Sequence, residues 1–296
     1  MELRELRYLV AIAEEGNLGR AAKRLYVSQP TLSYALKSLE SKLGVRLFDR
    51  HAGGVTATRA GGDVVIAARR AIREAERVTE VADSYRRGGV GPLRVGFEAS
   101  GAGELIARSR AEFARRNPGV RVEPRRFDWG EEVAALRDGR ADVAFVWLPA
   151  DLTGMCAEVV HVESRVVGFP AAHPLAARER VTLEDVRDEP LTWTEHAPRA
   201  WVEWWAVVPR PDGSTPRWGP TNRNVEEMLE QVAAGAAICF APAGMALYYA
   251  RPDLAWVPLD GVEPMRVALA WPRDEETDAI REFGRVVREL AAEPPR

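Results

Sequence analysis

The sequence contains little cysteine, and its apolar residues do not form long runs. Only two of the 296 residues are cysteines, Cys156 and Cys239, which is too few for a disulfide framework. Neither belongs to a CxxC pair, and Cys239 lies in an apolar run where we expect a buried thiol, so a redox role for the two stays open. No segment has the roughly 18 uninterrupted apolar residues of a membrane span. Acidic residues interrupt the N-terminal apolar positions, which is unlike a secretory signal. We therefore expect a cytoplasmic protein with no membrane partner.

The sequence also lacks the motifs of several enzyme classes. It contains no GxSxG, HExxH, Walker A or CxxC pattern. His161 and His196 have no evident metal-ligand partners at a useful spacing, and His173 lies in a loop segment that we expect to be structural. The sequence therefore predicts no catalytic residues, no metal and no cofactor.

Charge is distributed unevenly along the chain. Residues 1–91 contain 16 Lys and Arg against 11 Asp and Glu, an excess of five positive charges. Since the whole chain has a net charge of −3, the remainder has a charge of −8. A basic N-terminal part on an acidic body is compatible with a polyanionic partner for that part alone.

A cluster of glycines and one proline within residues 88–92 marks the main boundary. Before it, residues 1–58 have the pattern of short amphipathic helices and a hairpin, and one long helix follows from residue 59. We expect Asn17 to cap the second short helix and Thr58 to cap the long helix. After it, short apolar runs alternate with amphipathic helices, which is typical of a parallel α/β sheet. The stretch 196–222, rich in proline and tryptophan, has no clear pattern.

The third predicted helix has the features of a helix that reads DNA. We expect Ser28 to cap it and Pro30 to fit its first turn. Four leucines between residues 32 and 43 form its apolar side, and small, polar and basic side chains cover the other side. Such a helix fits the major groove, where Gln29 suits adenine and Lys37 suits a phosphate. Spacing alone does not separate this prediction from an ordinary three-helix bundle.

Two short predicted strands around Gly53 and Gly54 follow, which is the pattern of a wing. A wing beside a helix-turn-helix commonly contacts the DNA backbone or the minor groove. The predicted DNA-contacting residues are Gln29, Pro30, Thr31, Ser33, Tyr34, Lys37, Arg50 and His51.

The segment 21–50, followed by 55–61, closely resembles the LysR-type transcriptional regulator family. The matching residues are Ala21, Ala22, Leu25, Ser28, Gln29, Pro30, Ser33, Leu39, Glu40, Leu43, Gly44, Leu47, Phe48, Arg50, Thr58 and Gly61. The length and layout of the rest also fit, so the resemblance covers essentially the whole chain. The sequence departs from the family pattern at residues 17–19, where Ser-Phe-Thr is usual, and at Tyr34, where Arg or a polar residue is usual. These departures concern the preferred DNA site.

The resemblance implies an α/β protein with an N-terminal all-α winged helix-turn-helix, a long linker helix and a C-terminal two-lobed α/β domain like a periplasmic binding protein. A small-molecule effector would bind between the lobes. The expected boundaries are 1–58 for the DNA-binding domain, 59–91 for the linker and dimerisation helix, and 92–296 for the effector-binding domain, with lobe I at 92–162 and 267–296 and lobe II at 163–266.

In the linker, small and apolar residues recur at alternating steps of four and three. This 3.5-residue period predicts a coiled coil that would present two recognition helices to one palindromic site. The alternative is a helix packed on its own chain. Because family members are often tetramers, we expect a homodimer or a homotetramer. The predicted seam consists of Val64, Ala68, Ala71, Ala75, Val78, Ala82 and Tyr85.

Two features of the C-terminal part predict a ligand. In the loop after its first strand, we expect Ser100 to cap the next helix and Gly101 to admit a ligand, and the helix dipole there favours a carboxylate. A plain cap without a ligand is the alternative. The resemblance places further pocket residues near Trp129, Trp147 and Thr194, and the two tryptophans favour an aromatic or otherwise flat, apolar effector.

The sequence thus predicts a sequence-specific transcriptional regulator whose partners are double-stranded DNA, a small-molecule effector and RNA polymerase. In the predicted mechanism, the effector closes the cleft and alters packing between subunits, which re-spaces the recognition helices. Two alternatives are an enzyme fused to a DNA-binding head and a protein that binds DNA constitutively without an effector.

Overall fold

The computed structural model describes residues 1–51, 53–86 and 90–293, with the backbone alone for residues 80, 81, 83–86 and 90. The chain divides into two compact units. The first is Met1–Gly91 with Arg137–Arg140, and the second is Pro92–Leu136 with Ala141–Arg296. Within the described ranges, no helix is long and apolar enough to cross a membrane.

The first unit begins with three short helices, of which the second and third are capped by Asn17 and Ser28 as the sequence predicts. The Asn17 side chain accepts hydrogen bonds from the first turn of the second helix, and Ser28 Oγ accepts from Thr31 N at 3.2 Å. Thr58 Oγ1 accepts from Gly61 N at 2.9 Å at the start of the long helix. The elements are α1 Leu3–Glu15, α2 Leu18–Arg24, α3 Gln29–Leu43, β1 Phe48–His51, β2 Gly54–Ala57 and α4 Arg59–Arg86.

The apolar side of α3 is one residue shorter than predicted. Leu32, Leu36 and Leu39 are buried in the core of the first unit, whereas Leu43 is 39 % exposed. Gly44 ends the helix in the left-handed conformation, and the chain turns away, so that Leu47 takes the buried place. The prediction was wrong for Leu43 because helical spacing does not reveal where the neighbouring helices end.

The first part of α4 packs on the core of its own unit. Ala68 is buried there, and Val64 packs against it. This part of the predicted seam was therefore wrong, and the alternative of packing on the same chain is right for it. Ala71, Val78 and Ala82 are exposed further along the helix. The side chain of Tyr85, the last residue of the predicted seam, lies outside the described residues.

The second unit is built from strands and helices that follow the predicted alternation closely up to residue 148. Later, β6, β8, β9 and β11 are strands that the sequence did not predict. The elements are β3 Val90–Phe97, α5 Glu104–Arg116, β4 Val120–Arg126, α6 Glu132–Arg137, β5 Val143–Leu148, β6 Met155–Glu163, β7 Arg165–Pro170, a 3₁₀ turn Pro174–Ala177, β8 Pro190–Trp193, α7 Arg199–Trp205, β9 Arg217–Thr221, α8 Val225–Ala233, β10 Cys239–Pro242, α9 Met245–Tyr248, β11 Leu254–Pro258, β12 Met265–Pro272, a 3₁₀ turn Arg273–Glu275 and α10 Asp278–Ala291.

The predicted parallel sheet is in fact two mixed or antiparallel sheets with a separate two-stranded pair. The larger sheet has the order β4-β3-β5-β12-β6, in which β3 and β5 are parallel while β12 runs antiparallel to both of its neighbours. The smaller sheet, β10-β7-β11, is antiparallel, and β8 pairs with β9 in parallel. Strand direction was wrong for β12 because an apolar run gives the same pattern in either direction.

Aromatic side chains fill the space between the larger sheet and its helices. Phe283 of α10 meets Phe113 of α5 and Phe145 of β5 edge to face, with ring centroids 5.5 and 6.4 Å apart. Ile280 and Val287 of α10 are also buried, and Leu290 near the end of the helix is half-buried. This packing holds the strands whose ends carry the cleft described below.

Candidate functional sites

The outer side of α3 is a polar, exposed surface. Most of the side chains that the sequence assigns to DNA project from it into solvent, and Tyr34 is 77 % exposed. Ser33 is half-buried, and the Thr31 hydroxyl is 2.7 Å from Ser28 Oγ, so it takes part in the cap. The exposed members of the predicted DNA-contacting set on α3 are Gln29, Pro30, Thr31, Tyr34 and Lys37.

The wing lies against this surface and brings the two predicted groups together. Arg50 of β1 donates from Nη2 to Ser33 Oγ at 3.1 Å. His51 is exposed beside it, and its Nε2 is 2.9 Å from Thr56 Oγ1 of the facing strand. Within the described ranges, neither Lys37 nor Arg50 takes part in an ion pair, so both keep an unneutralised charge for a phosphate.

Glu40 is a positioning residue of this surface that sequence reasoning missed. Its Oε1 accepts hydrogen bonds from Leu47 N at 2.7 Å and from Phe48 N at 3.2 Å, which ties the start of the wing to α3. Glu40 matched the family pattern, but nothing in its spacing indicated which backbone groups it would bind.

The loop between β3 and α5 differs from the prediction. Two successive turns, Gly101 N to the Glu98 carbonyl at 2.9 Å and Gly103 N to the Ser100 carbonyl at 2.8 Å, delay the helix to Glu104. Ser100 therefore does not cap α5, and its Oγ is buried without a hydrogen-bond partner among the described residues. The Ile106 side chain packs so close to Gly101 that a Cβ there would collide with it, so Ile106 fills the space expected for a ligand.

A pair of buried carboxyl groups lies beside this loop. Glu98 is 1 % exposed and Glu132, in the first turn of α6, is 2 % exposed. The two carboxyl groups are within hydrogen-bonding reach of each other. Burial and the neighbouring Glu132 raise the pKa of Glu98 well above its ordinary value, and burial raises the pKa of Glu132 to about 7.

Four tryptophan side chains pack together next to the carboxyl pair. The ring of Trp205 in α7 stacks on Trp201 at 5.0 Å between centroids. It also meets Trp129 and Trp147, each at 6.5 Å. Trp129 donates from Nε1 to Asn222 Oδ1 at 2.8 Å, which fixes the orientation of that indole. The strand ends of the larger sheet thus face α7 through an aromatic layer.

A cleft pocket opens among these side chains. Its free volume is about 20 Å³, which is room for one water molecule. Trp129 and Thr194 belong to its wall as predicted, whereas Ser100 and Gly101 do not, and Trp147 reaches it only through Trp205. The wall consists of Trp129, Thr192, Trp193, Thr194, Trp201, Val202, Trp205, Ala206, Trp218, Asn222 and Met228.

This set has no charged side chain, and five of its members are tryptophans. Sequence reasoning missed Trp201, Trp205 and Asn222, although the density of aromatic residues in the stretch without a clear pattern was a signal. An apolar wall with a few hydroxyl and amide groups suits a flat ligand that has little charge. Because the free volume is about 20 Å³, such a ligand would bind only if the indole rings moved apart.

A buried arginine joins the cleft to the smaller sheet. Arg165, at the start of β7, is 2 % exposed and donates to the Trp205 carbonyl at 2.7 Å and to the Glu263 carbonyl at 2.9 Å. Its guanidinium carbon lies 4.2 Å from the centre of the Trp204 ring, a cation–π contact. Burial lowers the pKa of Arg165 to about 10, so the group is still charged at neutral pH.

The remaining candidates for chemistry are the two cysteines and a metal site. Cys156 is half-buried and Cys239 is buried, and burial raises the pKa of the Cys239 thiol to about 12. A thiol with so high a pKa is a poor nucleophile. Among the described residues, no cluster of His, Cys, Asp and Glu could hold a metal ion.

Two family models match the chain. Residues 3–62 match the model described as "Bacterial regulatory helix-turn-helix protein, lysR family". Residues 86–292 match the model described as "LysR substrate binding domain". Each compact unit thus contains a match, and residues 63–85 lie between the two matched ranges.

Full-length relatives and solved structures agree with these matches. The chain is 31 % identical to the uncharacterised regulator YnfL of Escherichia coli over 96 % of both chains. It is 28 % identical to the transcriptional regulator AlsR of Bacillus subtilis over 96 % of this chain and 94 % of AlsR. The crystal structure of CbnR, described as a LysR family transcriptional regulator, aligns with a TM-score of 0.71 and 25 % identity over 99 % of this chain and all of CbnR. A structure of full-length CbnR with its target DNA aligns with a TM-score of 0.67 and 26 % identity over 99 % of this chain and all of that chain.

Proposed function

Since the chain belongs to the LysR family of DNA-binding transcription regulators, which are not enzymes, and contains that family's effector-binding domain, we propose that a flat, apolar molecule in the tryptophan-lined cleft controls how α3 and the wing engage DNA. The observation that supports this proposal is the cleft wall, in which indole rings surround a pocket without a charged group. Aromatic walls with a few polar groups are typical of small-molecule sites.

We propose that the DNA contacts come from the polar side of α3 and from the wing. The residues in question are exposed except for the half-buried Ser33, and Lys37 and Arg50 have charges without an ion-pair partner among the described residues. Gln29 would read a base edge, Lys37 and Arg50 would hold phosphates, and Tyr34 would supply a hydroxyl where the family usually has a polar or cationic group. The remaining members of the set are Pro30, Thr31, Ser33 and His51.

A second copy of the chain would cover the exposed part of α4. Val78 is 70 % exposed, and Ala71 and Ala82 lie on the same helix, so an apolar strip continues beyond the part that packs on its own unit. We infer a homodimer or homotetramer built on α4, with RNA polymerase as the partner that reads the output. The domain and lobe boundaries expected from the sequence remain part of this proposal.

Of the two ligand chemistries that the sequence suggested, the cleft favours the aromatic one. The start of α5, where a carboxylate was expected, is covered by Ile106, and Glu104 in the first turn of that helix opposes an anion there. The cleft wall has no cation to pair with a carboxylate.

The proposal is tested by titrating the full-length protein on a DNA fragment selected for tight binding, with a panel of small aromatic compounds. We expect at least one compound to change the footprint or the DNA affinity, and Trp201→Ala to abolish that response. Trp271→Ala is the matched control, because Trp271 lies outside the cleft wall and bonds to Glu276. DNA binding that ignores every compound would support the constitutive alternative and contradict the proposal.

A further inference from the structure

The carboxyl pair beside the cleft has a hydrogen-bonding pattern that ionised groups cannot satisfy. Glu98 Oε2 accepts from Gly130 N at 2.9 Å, and the Glu132 carboxyl lies near the main-chain N–H groups of Trp147 and of Glu132 itself. Glu98 Oε1 and Glu132 Oε1 are buried, and neither accepts a hydrogen bond from a donor group among the described residues. Two acceptors that face each other away from water can bond only if one of them has a proton.

The carboxyl groups of Glu98 and Glu132 lie near the main chain at Gly130 and at Trp147, next to two of the packed tryptophans. Gly130 directly follows Trp129, so the bond from Gly130 N fixes the turn that places the Trp129 indole. Glu132 reaches the strand end at Trp147. Trp129 and Trp147 both meet the Trp205 ring at 6.5 Å. A change in the separation of the two carboxyl groups therefore moves one indole relative to the other.

We propose that Glu98 and Glu132 share one proton and act as a positioning pair for the effector cleft, holding Trp129 of the cleft wall and Trp147, which packs behind Trp205, in place while that proton is bound. Loss of the proton to water would leave two carboxylates in contact inside a low-dielectric site, and their repulsion would open the turn at Gly130. The link from this movement to effector affinity rests on the proposed function of the cleft, but the proton-sharing pair itself does not.

The groups around the pair favour retention of the proton. Asp128 and Glu131 lie in the same turn as Trp129 and add negative charge. From β5 only the Trp147 main chain contributes, and from the β3–α5 loop the nearby Ser100 hydroxyl has no partner among the described residues. None of the largest influences on either carboxyl comes from a cationic group, whereas acidic neighbours contribute to both.

The direction of the pH effect follows from the raised pKa values. The folded pair binds its proton more tightly than the unfolded chain, whose glutamates titrate near 4.5. Its contribution to stability is therefore complete below about pH 4.5 and is lost as the pH rises through about 7 and above. We therefore expect the free energy of unfolding to decrease and the indole rings of the cleft to lose their fixed arrangement over the same pH range.

The test uses the ligand-free, full-length protein and follows tryptophan fluorescence and the thermal midpoint from about pH 5 to about pH 9. We expect both to change near neutral pH in the wild type, and Trp129→Phe to reduce the fluorescence change. The double variant Glu98→Gln/Glu132→Gln should show neither transition, because its amide groups reproduce the shared hydrogen bond without a titratable proton. Glu104→Gln, which removes an exposed acid of the neighbouring helix, should behave as the wild type.

Equal pH profiles of the wild type and the double variant would overturn the proposal. If the double variant does not fold, infrared spectroscopy of the wild type decides. The carbonyl band of a buried protonated carboxyl should be present at neutral pH and should be lost at alkaline pH, and its absence at neutral pH would contradict the proposal.

Effector coupling is read separately, with benzyl alcohol as an uncharged probe. Its affinity should fall by about tenfold for each pH unit above the transition in the wild type and stay constant in the double variant. A probe that binds with the same affinity at every pH would contradict the positioning role. If no aromatic probe binds at any pH, the proposed function fails, whereas the ligand-free transition still decides whether the pair shares a proton.

Discussion

The proposed DNA-reading surface and the proposed effector cleft are built in opposite ways. The reading surface consists mostly of exposed side chains on one helix and one adjoining hairpin, all within a continuous segment of about 25 residues. The cleft collects residues from Trp129 to Met228 that are far apart along the chain, and all of its tryptophans except Trp218 belong to the hydrophobic core or pack against it. Side chains on the first surface can therefore change without affecting the fold, whereas those in the cleft contribute to stability as well as to recognition.

The two sides of α3 should differ most in stability, and this prediction carries the largest expected effect. Leu36→Ala removes a buried side chain from the first unit and should lower the free energy of unfolding by about 2–5 kcal/mol. Leu43→Ala changes an exposed leucine on the same helix and should cost less than about 0.5 kcal/mol. Chemical denaturation of both variants measures the difference. Similar losses would mean that Leu43 is buried, in a second subunit for example, and would break the comparison.

The parts of the structure that sequence reasoning predicted correctly depend on local interactions. The caps at Asn17, Ser28 and Thr58 involve neighbours within three residues, and the polar side of α3 follows from helical spacing. The chain elements that pair over long distances were less predictable. The antiparallel position of β12 depends on contacts across more than a hundred residues, which an apolar run does not encode.

The cleft was predicted only in part, because its residues come from segments that are far apart along the chain. Trp129 and Thr194 were expected through the family resemblance, and both belong to the wall. Trp201 and Trp205 belong to the short helix α7, in a stretch whose hydrophobic pattern has no period. The pairing of β8 with β9 brings together the segments on either side of that helix. Glu98 directly follows a buried strand, and that position was the one available signal for a buried acid.

A base-reading residue on the exposed surface should affect DNA affinity and leave stability unchanged. Gln29→Ala should weaken binding to the preferred DNA site by about 10- to 100-fold, because a bidentate contact to a base contributes about 1–3 kcal/mol of discrimination. Ser41→Ala is the matched control, because Ser41 is exposed near the other end of α3. Competition binding with specific and scrambled duplexes measures the effect. An equal loss for both duplexes would show that Gln29 does not read a base.

In the cleft, the charge of the ligand should decide affinity. Benzylammonium, benzyl alcohol and benzoate share one ring and differ in charge, so they test the uncharged wall directly. We expect benzoate to bind at least about tenfold more weakly than benzyl alcohol, because a buried carboxylate without a cationic partner is costly. Tryptophan fluorescence at a constant pH below the transition of the carboxyl pair measures the three affinities. Tightest binding by benzoate would show that a cation reaches the cleft, with Arg165 as the nearest buried candidate.

The smallest expected effect belongs to Lys37, and it separates the two kinds of contact on the reading surface. A phosphate contact contributes through counterion release, so Lys37→Ala should reduce the slope of log affinity against log salt concentration by about 0.9 and weaken specific and scrambled DNA alike. Gln29→Ala should leave that slope unchanged. Binding measured at several salt concentrations on both duplexes distinguishes the two outcomes. A Lys37→Ala variant that loses affinity only for the specific duplex would place Lys37 at a base edge, and the division of labour between base reading and backbone contact on α3 would then be reversed.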